Sequence, residues 1–206
     1  MKFKTEQEEF WAGEFGNNYI SRNDDIELLA SNVALFTKIF KNVHKAESVI
    51  EFGSNIGLNL RGIKTILPNI KCAAIEINEK ATEILSEALP DTYIWNESIL
   101  DCNINRKFDF VLIKGVLIHI NPNELPNVYR KLYDTANQYI CIAEYYNPSP
   151  ISIAYRGIEG KLFKRDFAGE MLDMFSDLVL VDYGFSYHRD RNFPQDDITW
   201  FLLKKS

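Results

Sequence analysis

The sequence predicts an α/β fold built on one mostly parallel β-sheet, and three observations lead to this prediction. Short apolar runs recur along the chain and are separated by segments of helical periodicity, as in a parallel sheet covered by helices on both faces. The last two apolar runs have no helix between them, which predicts an antiparallel pair near the C-terminus. The chain has 206 residues, of which 46% are hydrophobic, and this suits a single domain with one sizeable core.

The predicted elements follow in chain order. Apolar runs predict strands at residues 48–52, 71–77, 92–95, 108–114, 139–145, 178–187 and 198–204. Amphipathic spacing predicts helices at residues 25–40, 58–67, 79–89 and 124–135. Asp166 is a candidate N-cap for a further helix that begins near Phe167. We expect one domain, with residues 1–45 forming an N-terminal helical lid and residues 46–206 forming a Rossmann-like core.

Composition excludes several functional classes. A net charge of −6 argues against a general nucleic-acid surface. No segment approaches the roughly 20 apolar residues of a membrane span, and the first nine residues turn acidic without the apolar run of a signal peptide. The three cysteines are scattered without metal-ligand spacing. We therefore expect a cytoplasmic protein with no metal site and no nucleic-acid or membrane partner.

A glycine loop follows the first predicted strand. Gly53 and Gly57 lie where that strand turns into a helix, so backbone can approach a ligand there, and amides at the helix start suit a polar or anionic group. The spacing lacks the third glycine of the dinucleotide pattern G-x-G-x-x-G. Glu51 precedes the loop by two residues, where its carboxylate would attract an ammonium and repel a pyrophosphate. These details favour S-adenosylmethionine over a dinucleotide, with an ordinary strand-to-helix turn as the alternative.

Further cofactor contacts are predicted at the ends of the next strands. Glu76 ends the second strand about 20 residues after the glycine loop, where an acid bonds ribose hydroxyls. That position does not separate S-adenosylmethionine from NAD, and Glu76 facing solvent is the alternative. Residues after the third strand are candidates for adenine contacts. The predicted cofactor-binding residues are Glu51, Gly53, Ser54, Asn55, Gly57, Asn59, Glu76, Ile77, Glu97, Ser98, Lys114, Gly115 and Val116.

Catalytic and acceptor-binding candidates follow the fourth and fifth strands. His119 is a candidate base because its pKa is near neutral, although packing against the next segment is the alternative. Tyr146 is a second catalytic candidate, with aromatic packing as its alternative. No Asn-Pro-Pro-Tyr sequence occurs at this exit, which lowers the case for methylation of exocyclic amines on bases. Arg156 could hold a carboxylate or phosphate in fork geometry, and the cations that follow it either add charge or belong to a solvated loop. The predicted acceptor-binding residues are Tyr19, Arg22, Tyr145, Asn147, Tyr155 and Arg156.

Several segments together resemble one known family. They are FWAGEFG at 10–16, EFGSNIGLNL at 51–60, KGVLIHI at 114–120, EYYNP at 144–148 and GKLFKRDF at 160–167. This set resembles the pseudaminic-acid-biosynthesis-associated methylases, a branch of the class I S-adenosylmethionine-dependent methyltransferases, over nearly the whole chain. The resemblance implies a seven-stranded sheet with an inserted antiparallel last strand, S-adenosylmethionine as donor and S-adenosylhomocysteine as product. It also implies a small polar acceptor, plausibly an anionic nonulosonic acid, a sugar nucleotide or a related glycan precursor.

Two other functions stay open on the sequence. One is a nicotinamide-dependent oxidoreductase on a similar sheet, against which the missing third glycine counts. The other is a regulatory protein that binds S-adenosylmethionine without turnover.

Overall fold

The computed structural model describes residues 3–20 and 26–206, which form α-helices, β-strands and short 3₁₀ turns. The helices are α1 (Glu6–Ala12), α2 (Glu14–Ile20), α3 (Ile26–Phe40), α4 (Leu58–Ile66), α5 (Glu79–Ala88), α6 (Leu125–Thr135) and α7 (Phe167–Met174). The strands are β1 (Ser48–Phe52), β2 (Lys71–Ile75), β3 (Tyr93–Trp95), β4 (Phe108–Lys114), β5 (Ala136–Glu144), β6 (Ile151–Tyr155), β7 (Ile158–Lys164), β8 (Leu178–Ser186) and β9 (Ile198–Lys205).

Seven strands form one sheet in the order β3-β2-β1-β4-β5-β9-β8. The pairs among β1 to β5 are parallel, whereas β9 is antiparallel to both β5 and β8. Strand β8 therefore runs parallel to the first five, and β9 alone is reversed. The prediction of a mostly parallel seven-stranded sheet with an antiparallel C-terminal pair is confirmed. The last strand, β9, lies between β5 and β8, which confirms the inserted antiparallel last strand that the resemblance implies.

A second, two-stranded sheet of β6 and β7 was not predicted. The hairpin turn is Arg156-Gly157, with φ angles of 51° and 84°. Two consecutive residues with positive φ suit the right-handed twist of a hairpin, and glycine adopts this conformation without steric cost. A two-residue turn ending in glycine between two β-prone runs was the available signal, but the cations nearby led to a loop interpretation.

The core lies on both faces of the large sheet. Val49 and Ile50 are neighbours on β1 and point to opposite faces, yet both are fully buried. The first packs with Leu35 and Leu60, from α3 and α4, and the second packs with residues of α6 and α7. Burial on both faces explains why the strands read as continuous apolar runs.

The first two helices cover the carboxyl ends of the parallel strands. Helix α1 begins at the N-cap Thr5, which forms a capping box with Glu8. Helix α3, which falls within the predicted N-terminal lid at residues 1–45, packs beside α4 on one face of the sheet. The lid contacts described below therefore come from α1 and α2. No helix among the described residues has both the length and the apolar character of a membrane span.

Candidate cofactor and acceptor site

The glycine loop between β1 and α4 adopts positive φ angles at three positions. The values are 75° at Gly53, 47° at Asn55 and 78° at Gly57. Glycine reaches this left-handed region without steric cost, and asparagine reaches it more readily than most residues. A Cβ atom on Gly53 would lie 2.6 Å from Cγ2 of Val116, so the close approach of the segment after β4 also requires glycine here.

The backbone amides of the loop are bonded inside the protein. Those of Gly53 and Ser54 both donate to the last carbonyl of β2, at 2.8 and 3.2 Å. The amide of Asn55 donates to the carboxylate of Glu76, and the amide of Gly57 donates to the carbonyl of Ser54. These four amides precede the start of α4 at Leu58, and all four are engaged within the protein. The expectation that amides at the helix start receive a polar or anionic group stays a prediction.

Glu51 is fully buried, and only one of its two carboxyl oxygens has a hydrogen-bond partner among the described residues. Its Oε1 atom accepts a hydrogen bond from Nδ2 of Asn59 at 2.6 Å. Its Oε2 atom is buried with no hydrogen-bond partner among the described residues. Burial raises the pKa of Glu51 to about 8, although the Asn59 hydrogen bond and the charge of Lys114 act in the opposite direction. An unsatisfied buried polar group costs about 1–3 kcal/mol, so this oxygen is suited to receive a cationic donor.

Glu76 lies beside the glycine loop, and the alternative of a solvent-facing acid is excluded. Its Oε2 atom accepts the amide of Asn55 at 2.7 Å, and its Oε1 atom accepts the amide of Asn78 at 2.8 Å. Burial raises the pKa of this carboxyl group, and the amide hydrogen bonds oppose the shift. A carboxylate oxygen accepts more than one hydrogen bond, so Glu76 retains capacity for hydroxyl donors. Ile77 beside it is half-buried.

The predicted cofactor residues Lys114, Gly115 and Val116 lie at the end of β4 and in the turn that follows it. Val116 packs on Gly53, and a Cβ atom on Gly115 would have no other atom within 4 Å. The space in front of Gly115 is therefore open. Lys114 is within electrostatic range of Glu51, and burial lowers its pKa while the neighbouring carboxylates oppose the shift.

A further buried carboxylate, Glu144, was not among the site residues predicted from the sequence. Its Oε1 atom accepts the amides of Val116 and Leu117, both at 2.9 Å. Its Oε2 atom is buried with no hydrogen-bond partner in the described part of the chain. Burial raises the pKa of Glu144 to about 7, against the effect of the amide hydrogen bonds. Glu144 thus holds the segment that touches the glycine loop. An acid at the end of an apolar strand, as with Glu51, was the signal that could have identified it.

One ring nitrogen of His119 makes a hydrogen bond, and the other carries a lone pair. Nδ1 lies 2.6 Å from the carbonyl oxygen of Lys161. Because a carbonyl only accepts, Nδ1 carries the proton and Nε2 is the basic nitrogen. Burial lowers the pKa of His119 to about 4, so the ring is neutral at physiological pH. The ring is also packed, with its centroid 4.7 Å from Trp11 and 4.9 Å from Tyr155.

Aromatic side chains of the lid connect this histidine to two predicted acceptor residues. The ring of Trp11 is 5.2 Å from Tyr19 and 6.4 Å from Tyr155, and Phe15 is 5.9 Å from Tyr155. Edge-to-face and tilted pairs at these distances are attractive. Trp11 therefore brings Tyr19, from the lid, and Tyr155, from the hairpin, to one place.

The two tyrosines after β5 occupy different places. Tyr145 is half-buried and lies within electrostatic range of Tyr19 and Tyr155, and burial raises the pKa of its hydroxyl. Tyr146 is exposed, and its ring is 5.9 Å from Phe201 of β9. Adjacent residues of an extended chain point in opposite directions, so only one of the pair can face the lid. The structure brings Tyr145 rather than Tyr146 to the acceptor side.

Two cations of the segment at 155–166 are engaged with acids. Nζ of Lys161 is 3.4 Å from Glu6 of the lid, and Nε of Arg165 is 2.8 Å from Oε1 of Glu170. Lys161 is also buried. Neither side chain is freely available to an anionic ligand.

Two further cations lie on aromatic rings. Nζ of Lys164 is 4.9 Å from the ring centroid of Tyr145, and the guanidinium carbon of Arg156 is 5.8 Å from that of Tyr155. Arg156 is exposed at the hairpin turn. The predicted acceptor residue Asn147 closes a local turn through its side-chain amide, which donates to a backbone carbonyl two residues later.

Lid residues bond the ends of β2 and β3. The hydroxyl of Ser98 donates to the buried carboxylate of Glu8, and Nδ2 of Asn78 donates to the carbonyl of Trp11 at 3.2 Å. Glu97 is exposed and makes no such contact. Ser98 is thus buried under the lid, and the roles of Ser98 and Glu97 as cofactor contacts stay predictions.

The loop between β8 and β9 also reaches the site. Asp196 is within electrostatic range of Lys114 and Tyr145, and the neighbouring Gln195 donates to Oδ1 of Asn32 at 3.0 Å. No sequence motif pointed to this loop. Arg22 lies outside the described residues. Within residues 3–20 and 26–206, no group of three His, Cys, Asp or Glu side chains is arranged to hold a metal ion.

Comparison with known proteins finds likeness in structure only. No protein-family model and no curated protein matches the chain. The plantazolicin methyltransferase, solved with S-adenosylhomocysteine, has a TM-score of 0.66 at 14% identity, covering 97% of this chain and 94% of that one. Magnesium protoporphyrin IX methyltransferase from Synechocystis, with bound S-adenosylmethionine, has a TM-score of 0.69 at 12% identity and covers 100% of both chains.

A third structure agrees with these two. The 1,6-didemethyltoxoflavin-N1-methyltransferase of Burkholderia thailandensis has a TM-score of 0.71 at 12% identity, covering 97% of this chain and 87% of that one. It was solved with 1,6-didemethyltoxoflavin and S-adenosylhomocysteine. At these identities the likeness establishes the fold, and the predicted Rossmann-like class I methyltransferase fold is confirmed.

Proposed function

We propose that the protein is a cytoplasmic S-adenosylmethionine-dependent methyltransferase that acts on a small polar acceptor. The observation that carries the proposal is the Oε2 atom of Glu51 beside the glycine loop, which is buried and has no hydrogen-bond partner within residues 3–20 and 26–206. An ammonium group would satisfy this oxygen, and S-adenosylmethionine carries one on its methionine part. The solved structures of the same fold named above are methyltransferases with S-adenosylmethionine or S-adenosylhomocysteine bound.

The residues present fit this cofactor. Glu51 would receive the ammonium, Glu76 would receive the ribose hydroxyls, and the open space in front of Gly115 would admit the methionine part. When bound, S-adenosylmethionine supplies an electrophilic methyl group on a sulfonium. Glu144 supports the site indirectly, because it holds the backbone of Val116 against the glycine loop. The remaining candidates of this half are Ser54, Asn55, Gly57, Asn59, Ile77, Ser98 and Lys114.

On the acceptor side, the chain's task is to orient a nucleophile and remove water. Trp11 and Tyr155 pack on His119, and Tyr19 packs on Trp11. The Nε2 lone pair of His119 is directed away from the Lys161 carbonyl that binds Nδ1. We propose that Nε2 accepts a hydrogen bond from the acceptor's hydroxyl or amine. A pKa of about 4 makes His119 a weak base, so its main role is orientation. We propose Tyr145, in place of Tyr146, as the tyrosine that contacts the acceptor.

For the acceptor we propose a nonulosonic acid or a related sugar-pathway intermediate. The support for this choice is the sequence resemblance described above. Arg156 and Lys164 are the cations of the hairpin segment that lie on aromatic rings rather than in ion pairs, and they are available to a carboxylate. A carboxylate acceptor would need no base.

The oxidoreductase alternative fits the loop less well. A dinucleotide pyrophosphate is held by a loop of the pattern G-x-G-x-x-G and by the helix start after it. This loop lacks the third glycine, and four of its amides before the helix are engaged within the protein. The regulatory alternative differs from our proposal only in turnover, so it has to be separated by experiment.

Two measurements test the proposal. In calorimetric titrations we expect S-adenosylhomocysteine to bind and NAD not to bind. Tight NAD binding without a response to S-adenosylhomocysteine would overturn the proposal. In the second measurement, methyl-labelled S-adenosylmethionine is incubated with the protein and cell extract, and labelled products are identified by mass. Binding of S-adenosylhomocysteine with no labelled product from any extract would favour the regulatory alternative.

A further inference from the structure

Strand β8 forms one edge of the seven-stranded sheet and is unusually apolar on its exposed side. The exposed apolar residues in and next to this strand are Val179, Leu180, Val181, Tyr183, Phe185 and Tyr187. Edge strands of monomeric proteins are commonly protected by charged residues, proline or a covering element. Here Tyr183 is 65% exposed and Phe185 is 58% exposed, so a strand edge and large aromatic side chains are presented together.

The aromatic side chains form one continuous surface. Tyr183 is the register partner of Phe201 on β9, so the two lie on the same face, and their ring centroids are 6.3 Å apart. The ring centroid of Tyr146 is 5.9 Å from that of Phe201, and the ring centroid of Phe185 is 6.1 Å from that of Tyr187. We call these five residues, Tyr146, Tyr183, Phe185, Tyr187 and Phe201, the aromatic surface.

The aromatic surface carries no charge of its own. The one charged residue of β8 is Asp182, which is the register partner of Leu202 and therefore points to the opposite face. There it accepts a hydrogen bond from Asn42 and lies 3.9 Å from Nζ of Lys41. The protein as a whole has a net charge of −6. An uncharged patch on an anionic protein is where a second copy can approach without opposing carboxylates.

We propose that the aromatic surface is the interface of a homodimer, in which the face of β8 and β9 that carries this surface packs against the same face of a second copy about a two-fold axis. A two-fold axis places the same patch on both partners, and apolar, aromatic-rich composition is typical of homodimer interfaces. Four of the five aromatic side chains, all except Phe201, are about half exposed and contribute roughly 100 Å² each. Together with the exposed Leu180 of β8, they supply on the order of 500 Å² per copy. The pair then buries about 1,000 Å², which reaches the lower bound of a specific interface. This proposal does not depend on the methyltransferase proposal.

The test is the mass in solution as a function of protein concentration, measured by light scattering after gel filtration and by sedimentation. We expect the wild type to move from 23.9 kDa towards twice that mass as concentration rises. The double variant Tyr183→Lys/Phe185→Lys should stay monomeric, because it places four cations across the two-fold axis.

The matched control is Tyr93→Lys on β3, the opposite edge strand, where the tyrosine is 54% exposed. This variant should dimerise as the wild type does. Circular dichroism and a thermal melt check that all variants are folded. A wild type that is monomeric at every concentration, a double variant that still dimerises, or a control that is equally impaired would each overturn the proposal.

Discussion

The two halves of the candidate site are built by different kinds of contact. In the cofactor half, carboxylates at strand ends bind backbone amides of neighbouring strand ends, as Glu76 does with Asn55 and Glu144 does with Val116. In the acceptor half, rings from distant segments pack on each other, as Trp11 does with His119 and Tyr155. The first half follows from the pairing of β1, β2, β4 and β5. The second depends on how the lid and the hairpin dock.

This difference implies that the halves respond differently to mutation. A carboxylate that bonds two amides is difficult to replace, because its loss leaves buried donors unpaired. Aromatic contacts tolerate substitution by similar rings, because their energy is mostly area and shape. Substitutions in the cofactor half should therefore change cofactor affinity, and substitutions in the acceptor half should change turnover.

The largest effect is expected for Glu76→Ala. This change removes the proposed ribose contact and leaves the amides of Asn55 and Asn78 unpaired. We expect S-adenosylhomocysteine affinity to fall by about 1–3 kcal/mol, measured by calorimetry. Glu76→Gln keeps one acceptor oxygen and should lose less. Unchanged affinity in Glu76→Ala would remove Glu76 from the cofactor half.

For the acceptor half, Trp11→Ala is expected to weaken the docking of the lid by about 2 kcal/mol, because a half-buried indole is lost. Turnover with the identified acceptor should fall well beyond any loss of S-adenosylhomocysteine affinity. Trp11→Phe, which retains a ring, should recover most of the turnover. Equal losses of affinity and turnover in Trp11→Ala would show that the halves are not separable.

The open space at Gly115 can be probed with a matched pair of glycine substitutions. Gly115 and Gly157 have φ angles of 67° and 84°, and a Cβ atom on either would meet no other atom within 4 Å. Each change to alanine should therefore cost a similar 1–2 kcal/mol or so of unfolding free energy through backbone strain. Gly115→Ala alone should also weaken the binding of S-adenosylhomocysteine, by about tenfold or 1.4 kcal/mol. Similar affinities in both variants would mean that the cofactor does not occupy this space.

Glu51 makes cofactor binding dependent on pH. With a pKa of about 8, the free protein holds this carboxyl group protonated at pH 7, whereas an ammonium ligand favours the ionised form. Binding should therefore release a proton, and affinity should rise with pH up to about 8, by at most about 1.4 kcal/mol per pH unit. Calorimetry in buffers of different ionisation enthalpy measures the proton count.

The raised pKa of Glu51 also determines how this group's contribution to the stability of the folded protein changes with pH. Because the pKa of Glu51 in the folded protein lies above its ordinary value of 4.5, the contribution of this group to stability is complete below about pH 4.5. It declines as the pH rises towards 8. Glu51→Gln is the control, since it should bind cofactor without releasing the proton. Proton release that is the same in Glu51→Gln and wild type would assign the titration to another group.

The smallest effect is expected for Arg156→Ala, because this side chain is exposed at the hairpin turn. The KM for an anionic acceptor should rise several-fold, or by about 1 kcal/mol, while S-adenosylhomocysteine affinity stays unchanged. Steady-state kinetics and calorimetry measure the two quantities. A loss of cofactor affinity would move Arg156 out of the acceptor half.

The cofactor half could be anticipated because its signals are local in sequence. Glu51, the glycine loop and Glu76 lie within 26 residues of one another, and apolar runs show where the strands end. Glu144 gave the same kind of signal and was overlooked. The hairpin of β6 and β7 could also have been recognised from its Arg156-Gly157 turn.

The acceptor half could not be anticipated in the same way. Whether Tyr145 or Tyr146 faces the lid depends on a single residue of strand phase, and a one-residue change reverses the direction of both side chains. The hydrogen bond between Ser98 and Glu8 joins residues 90 apart, and the one between Gln7 and Gly160 joins residues 153 apart. No periodicity in the chain encodes such pairs.

The sequence by itself determined the parallel sheet, the position of the glycine loop and the acids at its strand ends. These features follow from apolar periodicity and from the backbone freedom of glycine, which act over a few residues. The tertiary structure decided which tyrosine faces the lid, which cations are already paired and which face of β8 is exposed. These outcomes depend on many weak contacts between distant segments, and only the assembled fold sums them.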